Sequence, residues 1–255
     1  MKYVVCYSGG HSSAVAAVET VRRFGKENVV LLNHNISSKV EQGKIKDFKR
    51  EVAEYLQLPI TYANCEDYEE QTPLSLCLEH GIIKFRSGSE ICTYYLKTKP
   101  FYKWLKDNYP VRNNEISKEI TLIYGMDSNE THRIVRRRKH LLKMGYQSLY
   151  PLAEWPRTIH QIEEIGLNRP SVYCDSKHAN CVGCLKAGKQ HWYKVYCCHP
   201  HIFEEAKMVE QEIGYSIIKG AYMCELEPEF DRMRKAGVPA TENMDSYWFW
   251  KYAKQ

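Results

Sequence analysis

The chain has 255 residues, of which 44% are hydrophobic, and its mean hydropathy is −0.53. This composition is typical of a soluble globular protein and excludes a disordered or fibrous chain. Thirty-six lysines and arginines against 31 acidic residues leave a net charge of +5, which permits a polyanionic partner without requiring one. No apolar run approaches the roughly 20 residues of a membrane span, and no basic leader precedes the first apolar run, so we expect a cytoplasmic protein with no membrane partner.

The first part of the chain alternates between short apolar runs and amphipathic stretches. Residues 3–7 and 29–33 predict buried strands, and between them alanines and valines recur at helical spacing as far as Gly25. Residues 43–56 predict an amphipathic helix and residues 58–62 a third strand. Strands that alternate with helices form parallel βαβ units, so the pattern predicts an α/β fold with a doubly wound, mainly parallel sheet.

The alternation continues with a predicted helix over residues 100–109, a strand over 120–124 and a strongly basic helix over 130–144. Beyond Pro156 the character changes. Helical stretches then flank a segment rich in cysteine, glycine and lysine, and they are predicted at residues 158–165 and 200–212. We therefore predict an α/β domain over residues 1–155 and a helical, cysteine-rich subdomain over residues 156–255.

A glycine-rich loop joins the first predicted strand to the first predicted helix. It reads Ser8-Gly9-Gly10-His11-Ser12-Ser13. Unpaired N–H groups and the helix dipole at a helix N-terminus favour an anion, and glycines let a phosphate come close. Ligands of open α/β sheets bind beyond the carboxyl ends of the strands, where this loop is expected. The alternative is an ordinary βα turn with a serine cap.

The loop resembles the pyrophosphate-binding SGGxDS signature of the PP-loop ATP pyrophosphatase superfamily, with Ser12 where that signature has aspartate. Three later segments resemble the phosphoadenosine phosphosulfate (PAPS) reductase-like branch of this superfamily. They are C-T-x-x-L-K-x-x-P at residues 92–100, G-x-x-x-x-E-x-x-R after the strand and ending at Arg133, and Y-P-L-x-x-W at residues 150–155. The resemblance spans residues 3–200 and implies a PP-loop, adenine nucleotide alpha hydrolase-like fold for the sheet domain.

The resemblance also implies a set of ligands and functional residues. It implies ATP or a related adenine nucleotide, bound with Mg²⁺, and two basic catalytic residues, Lys97 and Arg133, that neutralise phosphate or sulfate charge. Either basic residue could instead be a solvated surface charge. Asn33 and His34 are expected near the adenine or ribose. The full set of nucleotide-binding residues that it implies is Ser8, Gly9, Gly10, His11, Ser12, Ser13, Asn33, His34 and Gly125.

The activity implied by the resemblance is ATP-dependent adenylation of a substrate oxygen, with loss of pyrophosphate, followed by attack of sulfur or another nucleophile. The enzyme would be an ATP pyrophosphatase or a sulfurtransferase. Its partner would be a sulfur-donor protein or a nucleic-acid substrate, and the chain could also form a homo-oligomer. One alternative is a PAPS or adenylylsulfate reductase-like oxidoreductase, although the sequence lacks the E-C-G-x-H motif of those enzymes. Another alternative is a non-catalytic nucleotide- or nucleic-acid-binding module.

Ten cysteines are many for this length, and cytosolic thiols stay reduced, so some of them are predicted to bind a metal rather than to form disulfides. Cys181 and Cys184 form a C-x-x-C, a spacing that lets two thiolates close on one metal, and Cys174 lies seven positions earlier. The resemblance to iron–sulfur adenylylsulfate reductases adds Cys92 and implies a [4Fe–4S] cluster on these four thiolates.

A rival interpretation is a structural Zn²⁺ on the same thiolates, or with one of them replaced by Cys197, Cys198, His191 or His199. A third interpretation leaves the cysteines without a metal. The remaining cysteines are predicted to be small core residues, and they are Cys6, Cys65, Cys77 and Cys224.

The basic helix predicts a second kind of ligand. Five formal charges fall within the eight residues 133–140, which contain Arg133, Arg136, Arg137, Arg138, Lys139 and His140, and Lys143 extends them along the same helix. Together with Lys186, Lys189 and His191, they could form a groove for a nucleic-acid backbone. The alternative is a solvated helix face with one arginine turned to the nucleotide.

Overall fold

The computed structural model describes residues 1–112 and 115–254. Within these ranges one sheet contains five parallel strands in the order β3-β2-β1-β4-β5. Their bounds are β1 Lys2–Cys6, β2 Val29–Asn33, β3 Ile60–Tyr62, β4 Ile120–Ile123 and β5 Gln147–Leu149. The predicted α/β class with a parallel sheet is confirmed, and helices flank the sheet in a manner consistent with a doubly wound fold.

The helices of the same residues are α1 His11–Phe24, α2 Gly43–Tyr55, α3 Pro73–His80, α4 Ile91–Thr93, α5 Lys99–Asn108, α6 Thr131–Lys143, α7 Pro151–Glu154, α8 Lys189–Cys198, α9 Pro200–Ile213, α10 Met223–Lys235 and α11 Ser246–Ala253. A π-helical turn, Tyr94–Thr98, precedes α5. Among these helices none is long and apolar enough to cross a membrane.

The described residues divide into two compact units. The first contains the sheet and comprises residues 1–35, 43–65 and 97–170, whereas the second comprises residues 36–42 and 66–96 and the chain from Ser171 onward. In the second unit α8, α9 and α10 pack around aromatic side chains, of which Tyr193, Phe203 and Phe230 are the central ones.

Both faces of the sheet in the first unit are buried. Val4 packs in a cluster with residues of α5 and α6, and Val5 packs in a second cluster with residues of α1 and α2. Successive side chains of a strand point to opposite faces, so one apolar run supplies both clusters. The strand β1 is therefore the central strand of the first unit, and the glycine loop follows its carboxyl end.

The predicted helical stretch over residues 158–165 is wrong except for a short 3₁₀ turn, Ile162–Ile165. The reason is a long-range contact. The carboxylate of Glu19, on α1 and 3% exposed, accepts hydrogen bonds from the N–H groups of Thr158 and Ile159, at 2.7 and 2.9 Å, and from the Thr158 hydroxyl, at 2.8 Å. These bonds hold the segment in a non-helical path and tie it to α1.

We predict that Glu19→Ala lowers the free energy of unfolding by about 1–3 kcal/mol, because it removes the acceptor of the Thr158 N–H and of the buried Ile159 N–H. Equilibrium unfolding in urea measures the change. Glu54→Ala, at an exposed position of α2, is the matched control and should stay within about 0.5 kcal/mol of the wild type. Equal effects of the two substitutions would show that the Glu19 contacts contribute nothing to stability.

Candidate functional site

The glycine loop lies where the strand order of the sheet reverses. From β1 the chain passes to β2 and β3 on one side, and it returns to β4 and β5 on the other side. The connections that follow β1 and β4 therefore leave the sheet in opposite directions, which opens a crevice beyond the carboxyl ends of these two strands. Residues 8–13 follow β1, and Gly125 follows β4.

Gly125 lies directly against the backbone of the first turn of α1. A Cβ atom at this position would come within 2.6 Å of the Ser12 carbonyl oxygen and 2.9 Å of the Ser13 nitrogen. Neither neighbour is a flexible side chain, so any residue larger than glycine would force the two backbones apart. The structure thus places Gly125, predicted as a nucleotide-binding residue, beside the glycine loop.

The N-terminus of α1 has no side-chain cap. Its N-cap residue, Gly10, has an extended backbone with φ −85° and ψ 159°, and no side chain accepts a hydrogen bond from the first turn there. The Ser13 hydroxyl donates to the Gly10 carbonyl at 2.8 Å, and the Ser8 hydroxyl donates to Ser13 Oγ at 3.2 Å. Ser8 and Ser12 are exposed. The N–H groups of the first turn are therefore presented to an incoming anion.

A buried lysine covers the loop. Lys49, on α2, is 1% exposed, and its Cγ lies 2.6 Å from the position that a Cβ of Gly9 would take. Gly9 has a φ of +81°, a left-handed value that also favours glycine. Sequence reasoning missed Lys49, but a signal was present, because it shares the apolar stripe of α2 with Ile45 and Val52.

Asn33, at the end of β2, carries an unsatisfied polar atom. The residue is 2% exposed, and its amide Nδ2 donates to the Tyr7 carbonyl oxygen. Its Oδ1 is buried and has no hydrogen-bond partner among the described residues. Buried acceptors in native proteins are satisfied by protein groups, ordered water or a ligand, so this oxygen is a candidate contact for a bound molecule.

His34 follows Asn33 and is a neutral imidazole at pH 7. Its Nδ1 donates to the Ala63 carbonyl oxygen, which leaves Nε2 as an acceptor. Burial lowers the pKa of His34, the Ala63 hydrogen bond raises it, and the positive charges of Lys97 and Lys49 lower it further. The net direction is downward.

Two other predicted site residues have partners within the chain. Arg133 is exposed in the first turn of α6 and forms an ion pair with Glu130, three residues earlier. His11 Nε2 accepts a hydrogen bond from the Ile162 N–H at 3.3 Å. Their roles in catalysis and nucleotide binding stay predictions.

A group of polar side chains joins the carboxyl ends of β1 and β4 to α5 and α6. Cys6 hydrogen bonds to Tyr124, and burial raises the pKa of the Cys6 thiol to about 11, so Cys6 is not a thiolate nucleophile at neutral pH. Arg137, on α6, lies 5.4 Å from the centroid of the Tyr124 ring and hydrogen bonds to Tyr102. The basic helix thus turns Arg137 inward, while Arg136 is exposed.

The four cysteines predicted to bind a metal all belong to the second unit. Cys92, Cys181 and Cys184 are half-buried, and Cys174 is exposed. Among the described residues no group of three or more His, Cys, Asp or Glu side chains is arranged to hold a metal ion. The side chains as placed do not form a site that fits a cluster or a zinc ion, so the metal centre stays a prediction and no chemical step is assigned to it.

The C-x-x-C turn has packing contacts of its own. Gly183 has a φ of +72°, and a Cβ there would lie 2.8 Å from the Cγ2 atom of Ile202. The Cys184 N–H donates to His191 Nε2 at 3.3 Å, and His191 Nδ1 donates to Glu242 at 2.6 Å. Both ring nitrogens of His191 are therefore engaged, and this histidine could replace a thiolate on a metal only by releasing the Cys184 N–H.

The cysteines expected in the core differ in burial. Cys77 is fully buried, and burial raises the pKa of its thiol to about 12. Cys6 and Cys65 are half-buried. The expectation is wrong for Cys224, which is exposed in the first turn of α10, because no apolar periodicity around it places it on the inner face of that helix.

Comparisons with known proteins gave no match to a family model, to a curated protein or to a solved structure. The fold and the site define the chain as an α/β protein with a glycine loop at the strand-order reversal of a parallel sheet.

We predict that Gly125→Ala destabilises the protein by about 1–3 kcal/mol, because the added methyl group overlaps the Ser12–Ser13 backbone. Urea unfolding is the measurement. Gly43→Ala is the control, since no atom lies within 4 Å of a Cβ at that position, and it should be neutral or stabilise by up to about 1 kcal/mol. If both variants unfold like the wild type, the close approach of the two backbones is absent in solution.

A second prediction concerns the charge around His34. Lys97→Gln should raise the pKa of His34 toward its ordinary value of 6.5, because one of the charges that lower it is removed. Titration of the imidazole protons by NMR gives the pKa. Lys103→Gln, at an exposed lysine of α5 that pairs with Asp107 at 3.1 Å, is the control and should leave it unchanged.

The same substitution should change the pH dependence of stability. The pKa of His34 is lower in the folded chain than in the unfolded chain. As the pH falls below 6.5, the unfolded chain therefore protonates His34 before the folded chain does. The free energy of unfolding decreases until the pH has fallen through the pKa of His34 in the folded chain. Lys97→Gln should reduce this loss. An unmoved His34 pKa in this variant would place the Lys97 charge away from the site.

Proposed function

We propose that the chain binds ATP, or a closely related adenine nucleotide, at the glycine loop and uses it to adenylate an oxygen atom of its substrate. The observation that carries the proposal is the position of the loop. It forms the uncapped N-terminus of a 14-residue helix, at the point where the order of the parallel strands reverses. Helix N-termini at such points favour the phosphates of nucleotides.

The charges near the loop suit a triphosphate. Lys49 covers Gly9, and the charges of Lys49 and Lys97 both act on His34. An ammonium group attracts phosphate as a point charge, and this attraction is strong where water is excluded. The N–H groups of α1 add directed hydrogen bonds to the same phosphates.

The residues after β2 suit the base or the ribose. Asn33 Oδ1 is a buried acceptor with no hydrogen-bond partner among the described residues, and His34 Nε2 is the acceptor of a neutral ring. The amino group of adenine and the hydroxyl groups of ribose are hydrogen-bond donors. These two acceptors therefore complement the uncharged part of an adenine nucleotide.

In the proposed reaction a substrate oxygen attacks the α-phosphorus of ATP. A new oxygen–phosphorus bond forms, the bond from the α-phosphorus to the bridging oxygen breaks, and pyrophosphate leaves with the electron pair. Lys49 and Lys97 offset the charge that develops on the leaving pyrophosphate, and the first turn of α1 holds the phosphates in place. Mg²⁺ bound with the nucleotide would supply further charge neutralisation.

The second step of the proposal is attack by sulfur. The outer sulfur of a persulfide on a donor protein adds to the carbon that bears the adenylated oxygen, the carbon–oxygen bond breaks, and AMP leaves. A second thiol of the donor then attacks the sulfur–sulfur bond of the adduct, which leaves the outer sulfur on the substrate and a disulfide on the donor. Support for sulfur comes from the segments at residues 92–100 and 150–155, which resemble the PAPS reductase-like branch. The acceptor is then the molecule that carries the activated oxygen.

The test compares two glycines with similar backbones. Gly10 is an extended N-cap, so Gly10→Val introduces no backbone strain but places a branched side chain in front of the N–H groups of α1. We expect the wild type to bind Mg–ATP in a calorimetric titration and Gly10→Val to bind it at least about tenfold more weakly, a loss of about 1.4 kcal/mol. The rate at which this variant forms AMP and pyrophosphate, measured by chromatography, should fall together with its affinity for Mg–ATP.

Gly188→Val is the matched control, because Gly188 is also an extended N-cap, with φ −88°, but belongs to α8 in the second unit. This variant should bind ATP like the wild type. Loss of binding in Gly188→Val instead of Gly10→Val would assign the nucleotide to the second unit. Release of ADP rather than AMP would contradict the adenylation step.

A further inference from the structure

The helix α11 presents four aromatic rings to solvent, on both sides of its buried stripe. Phe249 and Ala253 are buried and anchor α11 in the second unit. The exposed rings and their exposed fractions are Tyr247 68%, Trp248 48%, Trp250 46% and Tyr252 39%. Large exposed apolar groups that lie together on one element mark an interaction surface.

A cleft of about 470 Å³ lies beside α11 within the same unit. Phe249 and Trp250 line one part of it, and Lys177 and Lys186 line another. Glu242 is the one acidic residue among the described residues that line the cleft, and its carboxylate already accepts a hydrogen bond from His191. The volume is in the range of sites for small ligands and is too small for a duplex.

Lysines accompany the exposed indole rings. The Lys189 ammonium lies 5.1 Å from the centroid of the Trp250 ring, and the Lys251 ammonium lies 4.8 Å from that of Trp248. Lys189 also pairs with Glu229 at 2.5 Å. The segment from Ser246 to Lys254 contains no acidic residue. A planar base stacked on either indole would therefore have its phosphate within reach of a positive charge.

Lys186 and Lys177 extend the positive charge into the cleft. Lys186 pairs with Glu90 at 3.2 Å but keeps 54% of its side chain exposed, and Lys177 is exposed. A phosphate can approach both ammonium groups from solvent. The surface thus combines sites for stacking with sites for phosphate, in a space that one nucleotide at a time can enter.

We propose that α11 and the adjoining cleft, together the aromatic–basic surface, bind single-stranded nucleic acid. Unpaired bases can stack on exposed tryptophans, whereas the bases of a duplex are already stacked on one another. The positive charge beside the rings favours a polyanion over an apolar protein surface. This surface lies in the second unit and does not depend on the nucleotide loop or on the proposed adenylation.

The experiment is a fluorescence anisotropy titration of the full chain with a labelled oligothymidylate of about 12 nucleotides, a length that spans one typical single-strand site. Trp250→Ala should weaken binding about tenfold, because it removes a ring on which a base stacks. Trp250→Phe should restore much of the affinity. Lys177→Gln should weaken binding and reduce the slope of log K against log salt by about 0.7, the value for one phosphate contact with a single strand.

Tyr55→Ala is the control for an exposed ring, because Tyr55 is 44% exposed on α2 in the first unit, and it should bind like the wild type. Gly10→Val should also bind the oligonucleotide with the affinity of the wild type. Nucleotide binding at the loop and oligonucleotide binding on the aromatic–basic surface are thus tested separately. Equal affinity for a duplex, or no effect of Trp250→Ala, would overturn the stacking surface. A dimer of the free chain that Trp250→Ala dissociates would assign the surface to a second copy instead.

Discussion

The candidate site depends on a contact between two backbones. Gly125, after β4, touches the peptide between Ser12 and Ser13 in the first turn of α1, and it can do so only because it has no side chain. This contact draws together the loops that follow the two strands at the reversal of the sheet order. With a larger residue the crevice would contain protein atoms, and the N-terminus of α1 would be held away from the ends of the strands. Glu19 fixes the same helix further along, through its bonds to Thr158 and Ile159.

The electrostatics of the crevice follow from where the lysines lie. Burial of an ammonium group is costly unless an opposite charge or hydrogen bonds compensate it. The apolar stem of Lys49 packs against Gly9, and burial, together with the charges of Lys97 and Lys49, lowers the pKa of His34. The crevice therefore combines a positive end beside the loop with uncharged acceptors after β2. A nucleotide has the matching division, with charged phosphates at one end and a neutral base at the other.

The sequence predicts those elements that local interactions determine, and it does not predict those that depend on contacts between residues far apart in the chain. β2 was predicted at its observed bounds, because a short β-branched run that is buried on both faces carries its own signal. β5 was not predicted, because its three residues, Gln147–Leu149, include two polar ones and gain strand structure only by pairing with β4. Local spacing predicts a helix over residues 158–165, because it carries no sign of the distant partner, Glu19. The position of Gly125 against Ser12 likewise exists only after the sheet has formed.

The two proposed ligand surfaces rest on different physics, and salt distinguishes them. At the loop, the positive charges include Lys49, which is 1% exposed, and the N–H groups of a helix terminus. Dissolved ions screen such buried charges and fixed dipoles weakly. On the aromatic–basic surface the charge comes from exposed side chains such as Lys186, 54% of which is accessible to solvent. Binding there releases counterions from the polyanion, so a rise in ionic strength weakens it steeply. Because the charges at the loop are buried and those of the aromatic–basic surface are exposed, we expect added salt to weaken oligonucleotide binding much more than nucleotide binding.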